Sequence, residues 1–405
     1  MTAAQISQWA DRAAYWSLAV CAVVAPLGMA PQEITVVCAI AAWAISRLAS
    51  RTLPARTSVN WLLLLWCAAA VISIAYSTHV PTSLKGLQKM AKVIGLFFVA
   101  AEMLRTRQRC LTVVTAMMLG AAVVAMDGLI QVAFGADLFY RHVAGGAPGG
   151  LPRLSATFGH ANDFAIYAVT VLPVCLVMAL PSTTLRRRWW AWGTVGLLLA
   201  ALLMTFSRPA VLAVSVSSTV FLLLRRAWKS LAAFAAALII GALCLPAPIR
   251  EWVAQQPSWL HVIAQPLRFE IWQAGVNMIR AHPVFGIGVN LFVRNYEQYR
   301  IPGDTLVAAY GHNHYLQMAA EIGFVGLGIF VWLLIRTGAV WRRLLGHPSA
   351  WVRHLSLGMG CGIVAFLAIG LLESALYSSR TNLFFWLWMG TLHGLAQLSP
   401  EERGS

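Results

Sequence analysis

Acid is scarce in this chain. Only 14 Asp and Glu stand against 30 Lys and Arg in 405 residues. No Asp-x-Asp pair occurs, and no carboxylate cluster lies outside the apolar runs, so no bound divalent metal is expected. A glycine-rich phosphate loop is missing, which argues against nucleotide use, and no cofactor is expected. Lysine is absent from the longest polar stretch, 247–311. Cysteine offers no framework either. Of the seven, only Cys110 lies just outside an apolar run, and the spacing suits neither a disulfide set nor a metal site. No internal repeat is visible, so an inverted-repeat transporter architecture gets no direct support.

Apolar residues fill the gap. They make up 59% of the chain, charged residues only 11%, and the net charge is +16. A chain of this composition cannot cover a water-facing surface. About twelve apolar runs are long enough, or nearly so, to span a bilayer as helices. They centre on 14–30, 33–49, 61–76, 87–104, 111–133, 161–181, 189–206, 209–225, 229–246, 314–335, 353–373 and 381–398. Continuous runs exclude the alternating strands of a barrel, and backbone in lipid must bond internally. The fold class expected is therefore an all-α polytopic membrane protein. The first run follows a polar N-terminus without a convincing cleavage site, so it is read as a retained helix.

Positive charge sets the orientation. With a cytoplasmic N-terminus, the inside loops collect Arg12; Arg47, Arg51 and Arg56; Arg105, Arg107 and Arg109; Arg186 to Arg188; Arg225, Arg226 and Lys229; Arg336, Arg342, Arg343 and Arg353; and Arg403. Every short inside loop then carries a basic cluster, as the positive-inside rule requires. This dispersal makes nucleic-acid binding a poor reading of the net charge.

Two outer segments interrupt the rhythm. Residues 134–160, with Gly145, Gly146, Pro148, Gly149, Gly150 and Pro152, read as an irregular loop. Residues 247–311, between the ninth and tenth runs, form a large, partly helical loop. Pro246, Pro248 and Pro257 favour extended or turning chain at its start. Helical spacing of Phe269, Trp272, Val276 and Ile279 follows, which suggests a helix lying on the membrane surface. His282-Pro283 ends it, and Phe285-Gly286-Ile287-Gly288 turns the chain back. The whole chain, 1–405, reads as one integral membrane domain with 247–311 inside it.

Chemistry concentrates on the outer side. His312-Asn313 precedes a helix, with nine residues before Gly323 and two more before Gly326. A neutral imidazole there can take and release a proton, and free amides at the helix mouth would suit phosphate. The glycines would let this helix pack closely on a neighbour. His314 is read as an interface residue with no chemical role. Arg208 sits in a tight turn, Ser207-Arg208-Pro209, either snorkelling or binding phosphate. Arg153 precedes Asn162 and Asp163, one of which could cap the next helix. Arg268 shares a helix face with Trp272, itself read as an interfacial anchor. Lys85, Lys89 and Lys92 share another face, and Lys92 is too deep for snorkelling alone.

Together, Arg153 to Asn162, Ser207-Arg208, Arg268 to Trp272, His282 to Gly288 and His312 to Gly326 resemble the bacterial O-antigen ligase family. The first four helices carry nothing that aligns. The resemblance implies an inverting, metal-independent glycosyltransferase of the bacterial inner membrane, working on its periplasmic face. Its donor would be a polysaccharide on undecaprenyl diphosphate, and its acceptor a sugar hydroxyl of lipid A–core. His312 would be the general base. Arg208, Arg153 and Arg268 would hold the diphosphate, with Asn313 and Lys92 in possible support. An O-antigen polymerase or a protein O-oligosaccharyltransferase would use the same donor. A non-enzymatic transporter of the lipid-linked glycan is the alternative from another class.

Overall fold

Helices form over every apolar run in the computed structural model, which describes residues 2–146, 151–180, 185–244, 247–255, 266–304, 306 and 308–398. They are α1 (Ala3–Val24), α2 (Met29–Ser50), α3 (Asn60–Ser73), α4 (Val80–Met103), α5 (Arg107–Phe134), α6 (Ala161–Met178), α7 (Leu185–Met204), α8 (Arg208–Leu224) and α9 (Trp228–Leu243). The long loop holds α10 (Ala247–Ala254), α11 (Pro266–Ala281) and α12 (Phe292–Tyr299). The chain then continues through α13 (His314–Leu345), α14 (Ala350–Ile369) and α15 (Ser379–Leu395). Among the described residues the protein is all-α apart from the short pairing of Gly145–Gly146 with Pro152–Arg153 and an isolated bridge between Ala136 and Val143.

Among the described residues, five helices are long and apolar enough to cross a membrane: α2, α5, α6, α13 and α14. Four more apolar helices, Asn60–Tyr76, Arg188–Met204, α8 and α9, are shorter. The bundle is built around its last helix. Every residue of α15 from Arg380 to Leu395 is buried, against α4, α14 and α6. Trp386 and Trp388 are among the largest fully buried side chains. By contrast, α9 buries no residue and lies at the periphery.

Connections gather at two ends. At one, Arg380 donates to the carbonyls of Pro26 and Thr157, at 2.6 and 2.8 Å, and Leu154 donates to the carbonyl of Met204. At the other, Arg47 pairs with Asp11 at 3.0 Å and Glu102 at 3.4 Å, and Arg105 donates to Gln397. Arg403, counted above with the inside charges, lies outside the described residues, as do Pro246 and Pro257.

Residues 134–160 are more ordered than a glycine-rich loop suggests. Asp137 accepts from the backbone of Phe139, Tyr140 and His142, and Gln131 accepts from Ser155 and Ala156. Gly145–Gly146 then pairs antiparallel with Pro152–Arg153. Pro148, Gly149 and Gly150 lie outside the described residues. Pro248 stands in the first turn of α10 rather than in extended chain, a position where its missing N–H has no helical partner to lose.

The helix expected after it forms as α11, but its buried stripe is not the one read from the sequence. Ile271, Ala274 and Met278 are buried, together with Arg268, while Phe269, Trp272, Val276 and Ile279 stay half-buried. This stripe packs on Ile287, Leu291, Phe292, Tyr296 and Ala320, a small core of its own. Thus α11 is docked on protein along Ile271–Ala274–Met278, and the aromatic face is its outer side.

The ladder of α13 breaks at Gly323, whose φ and ψ are 70° and −178°. Segment 283–288 mends the break. Ile287 and Gly288 donate to the carbonyls of Ala320 and Glu321, and Phe324 and Val325 donate to the carbonyls of Pro283 and Val284, all at 2.9–3.2 Å. A Cβ on Gly323 would lie 2.0 Å from the Val284 carbonyl oxygen. The close partner of Gly323 is therefore a loop and not a neighbouring helix, and Gly326 lies against Ile322 of its own helix.

Candidate active site

Glu373 is the hub of the site. It lies in the turn after α14, 5% exposed. One oxygen takes Arg268 Nη2 at 2.6 Å and Asn162 Nδ2 at 2.5 Å; the other faces His312 Nδ1 at 3.1 Å. Arg268 also donates to the carbonyl of Leu372. Asn162 passes the network on, accepting from Arg153 Nη2 at 2.9 Å. Arg153 Nε donates to the Thr205 carbonyl, which ties it to the tight turn before Arg208. Arg208 feels the charges of both Arg268 and Arg153. His312 and Arg268 thus meet on one carboxylate, Arg153 joins it through Asn162, and Arg208 lies within electrostatic reach of both arginines.

Burial alone would raise the Glu373 carboxyl. The hydrogen bond with His312 and the charge of Arg268 outweigh it and hold the group below the ordinary carboxylate range. An ionised carboxylate can only accept, so Nδ1 of His312 donates to it, and in the neutral imidazole the lone pair is then on Nε2. The His312 side chain is 36% exposed, so that nitrogen is reachable. Its backbone φ is 43°, a left-handed conformation that a histidine adopts only when its surroundings hold it there.

Arg268, Arg153 and Arg208 feel one another's charge beside Glu373, and repulsion among the three guanidinium groups is only partly offset. Burial and Arg268 lower the pKa of Arg153, while Glu373 raises it. Such a cluster is relieved by an anion with several oxygens, and arginine forks match phosphate oxygens two at a time.

Several expectations change. The first amides of α13 are not free: Asn313 Oδ1 accepts from Tyr315 and Leu316, both at 3.0 Å, and His314 donates to the carbonyl of Gly370. Asn313 is therefore a helix cap, and the helix mouth is not an open anion site. His160, not Asn162 or Asp163, occupies the cap position of α6, and Asn162 instead joins Arg153 to Glu373. Trp272 packs edge-on against Phe269. Lys92 lies apart from the cluster. It pairs with Glu33 at 2.6 Å and reaches Ser379 at 3.1 Å, lining a separate cleft with Lys89, Asn290, Glu321, Tyr377 and Trp386. His314 is fully buried against Phe366 and Gly370.

Sequence reasoning missed Glu373. It was counted as the last residue of an apolar run, although α14 ends at Ile369. The signal was its scarcity: an acid closing an apolar run in an acid-poor chain.

Residues 193–331 match the family model described as O-antigen ligase. The matched span holds Arg208, Arg268 and His312; Arg153, Asn162 and Glu373 lie outside it. No curated protein matches the chain.

Proposed function

Since residues 193–331 carry a domain of the O-antigen ligase family, a family of glycosyltransferase-like enzymes, we propose that this protein is an O-antigen ligase. It transfers a polysaccharide from undecaprenyl diphosphate to a sugar hydroxyl of lipid A–core. It crosses the bacterial inner membrane twelve times, and the Glu373 end of the bundle faces the periplasm. The observation that carries this reading is the His312–Glu373 pair set among Arg153, Arg208 and Arg268.

The acceptor hydroxyl gives its proton to His312 Nε2 as its oxygen bonds to the anomeric carbon of the donor. The bond from that carbon to the diphosphate oxygen breaks on the opposite face, inverting the centre. The electron pair leaves with the diphosphate, and the arginines neutralise the growing charge. Glu373 keeps the imidazole in its base-ready tautomer and stabilises the imidazolium that forms, the role of the third member of a triad.

The test is transfer by purified protein in the presence of EDTA, using lipid-linked glycan and lipid A–core. Product from wild type, and none from a folded His312→Ala variant, is the expected result. Wild-type transfer by His312→Ala would remove the base. Longer glycans on the carrier, with none on lipid A–core, would make the protein a polymerase. Abolition by EDTA would remove the metal-independent mechanism.

A further inference from the structure

Glu321 lies in α13 two residues before the break, 2% exposed, and touches none of the arginines or His312. Its oxygens accept from the backbone of Asn290 at 2.7 Å and Phe292 at 3.2 Å, from Gln317 Nε2 at 3.1 Å, and from the Tyr377 hydroxyl. Every neighbour is a donor, so this position requires an acceptor. That requirement fixes the amide of Gln317, one turn earlier. Its NH₂ must face Glu321, so its oxygen must face the other way. There it accepts from Gly311 N at 3.1 Å and Ser374 Oγ at 2.7 Å.

Gly311 precedes His312, and Ser374 follows Glu373. One amide oxygen therefore holds the backbone beside the base to the side chain beside its carboxylate. If the amide turned over, its NH₂ would confront the Gly311 N–H, an obligate donor, and the Ser374 hydroxyl would have to turn and accept, so the bond that holds Gly311 would be lost. His312 has a left-handed φ of 43° and faces Glu373 at 3.1 Å, so its place depends on the chain on either side of it.

We propose that Glu321 is a positioning residue for the reaction. By dictating the orientation of Gln317, it sets the spacing of His312 and Glu373. The inference rests on the functional reading above, which assigns the base to His312.

The experiment compares wild type, Glu321→Gln, Gln317→Glu, the double swap and Ser374→Ala in transfer kinetics, thermal melts and ¹⁵N NMR of the histidine rings. In Glu321→Gln the amide of Gln317 loses its instruction. The expected result is a fall in kcat of at least about tenfold, because misplacing a reacting group by about 1 Å can cost about 100-fold. KM for both substrates should stay within about twofold, since the carboxylate of Glu321 is 2% exposed and bonded to the protein's own donors. The double swap restores an acceptor beside Gly311 and Ser374 and should recover most of kcat. Ser374→Ala should lower kcat a few-fold at an unchanged melting point, and it keeps the test alive if Glu321→Gln does not fold. Wild-type kcat in a folded Glu321→Gln protein overturns the proposal. So does a defect confined to KM, or a double swap that recovers the melting point without kcat. The NMR separates the two readings. In wild type the Nδ1–H signal of His312 should report its bond to Glu373, and in Glu321→Gln that bond should weaken, whether or not the protein proves to be a ligase.

Discussion

A histidine can take a proton only on the ring nitrogen that lacks one, so Glu373 governs His312 by deciding which nitrogen that is. Replacing Glu373 by Gln removes the obligate acceptor and permits the wrong tautomer. Its transfer rate should fall by a factor comparable to the loss of general-base assistance, about 100- to 10,000-fold, as for His312→Ala. Arg208→Ala should cost about 100- to 1,000-fold as a lost charge stabiliser, and Arg208→Lys should recover little, because a point charge cannot replace a fork. Rates at saturating substrate check each. Glu373 also sets an acid limit. Its folded pKa is depressed below the ordinary 4.5, so its contribution to stability is complete above that pH and is lost as pH falls through the lower folded value. Thermal melts on acidification should show a loss in wild type, below about pH 4.5, that is absent from Glu373→Gln. Glu373→Ala should melt earlier at every pH above that, since it strands a buried Arg268. The histidine and arginines were legible because their residue types stood out against an apolar chain. Glu373 was not, because its role exists only once α6, α11 and the turn after α14 come together.

Among the elements, α13 departs furthest from its pattern. Its hydropathy is that of one continuous helix, yet Gly323 occupies a region open essentially to glycine alone. Gly323→Ala should therefore cost about 1–3 kcal/mol in backbone strain, beyond the clash with Val284. Gly326→Ala meets only the side chain of Ile322 and should be milder, so melting points should rank wild type, Gly326→Ala, Gly323→Ala in falling order. An equal effect at both positions would contradict this account. The two motifs read separately from the sequence, Phe285-Gly286-Ile287-Gly288 and the Gly323 spacing, are two halves of one joint. Hydropathy could not show this, since a mended helix and an intact one bury the same residues. The hairpin near Arg153 escaped for a related reason: its order comes from Asp137 and Gln131, polar residues that local patterning assigns to solvent.

At the scale of the molecule, the placement of the helices followed from the apolar runs, while the orientation read from the basic loops is an expectation that the fold alone does not decide. Which helix forms the axis was hidden, because α15 is no more apolar than its neighbours, and its burial depends on packing from every side. The orientation has a direct test. In a cysteine-free background, Tyr310→Cys, at the His312 end and 57% exposed, should react with an impermeant thiol reagent on intact cells. Leu53→Cys, at the opposite end and 80% exposed, should react only after lysis. The reverse pattern would invert the topology.

The joint between α13 and segment 283–288 also bears on how this protein breathes. Freeing that segment would break the hydrogen bonds of Ala320, Glu321, Phe324 and Val325 together. The amides of Ile287, Gly288, Phe324 and Val325 should thus exchange with deuterium as a single slow unit, late and in step.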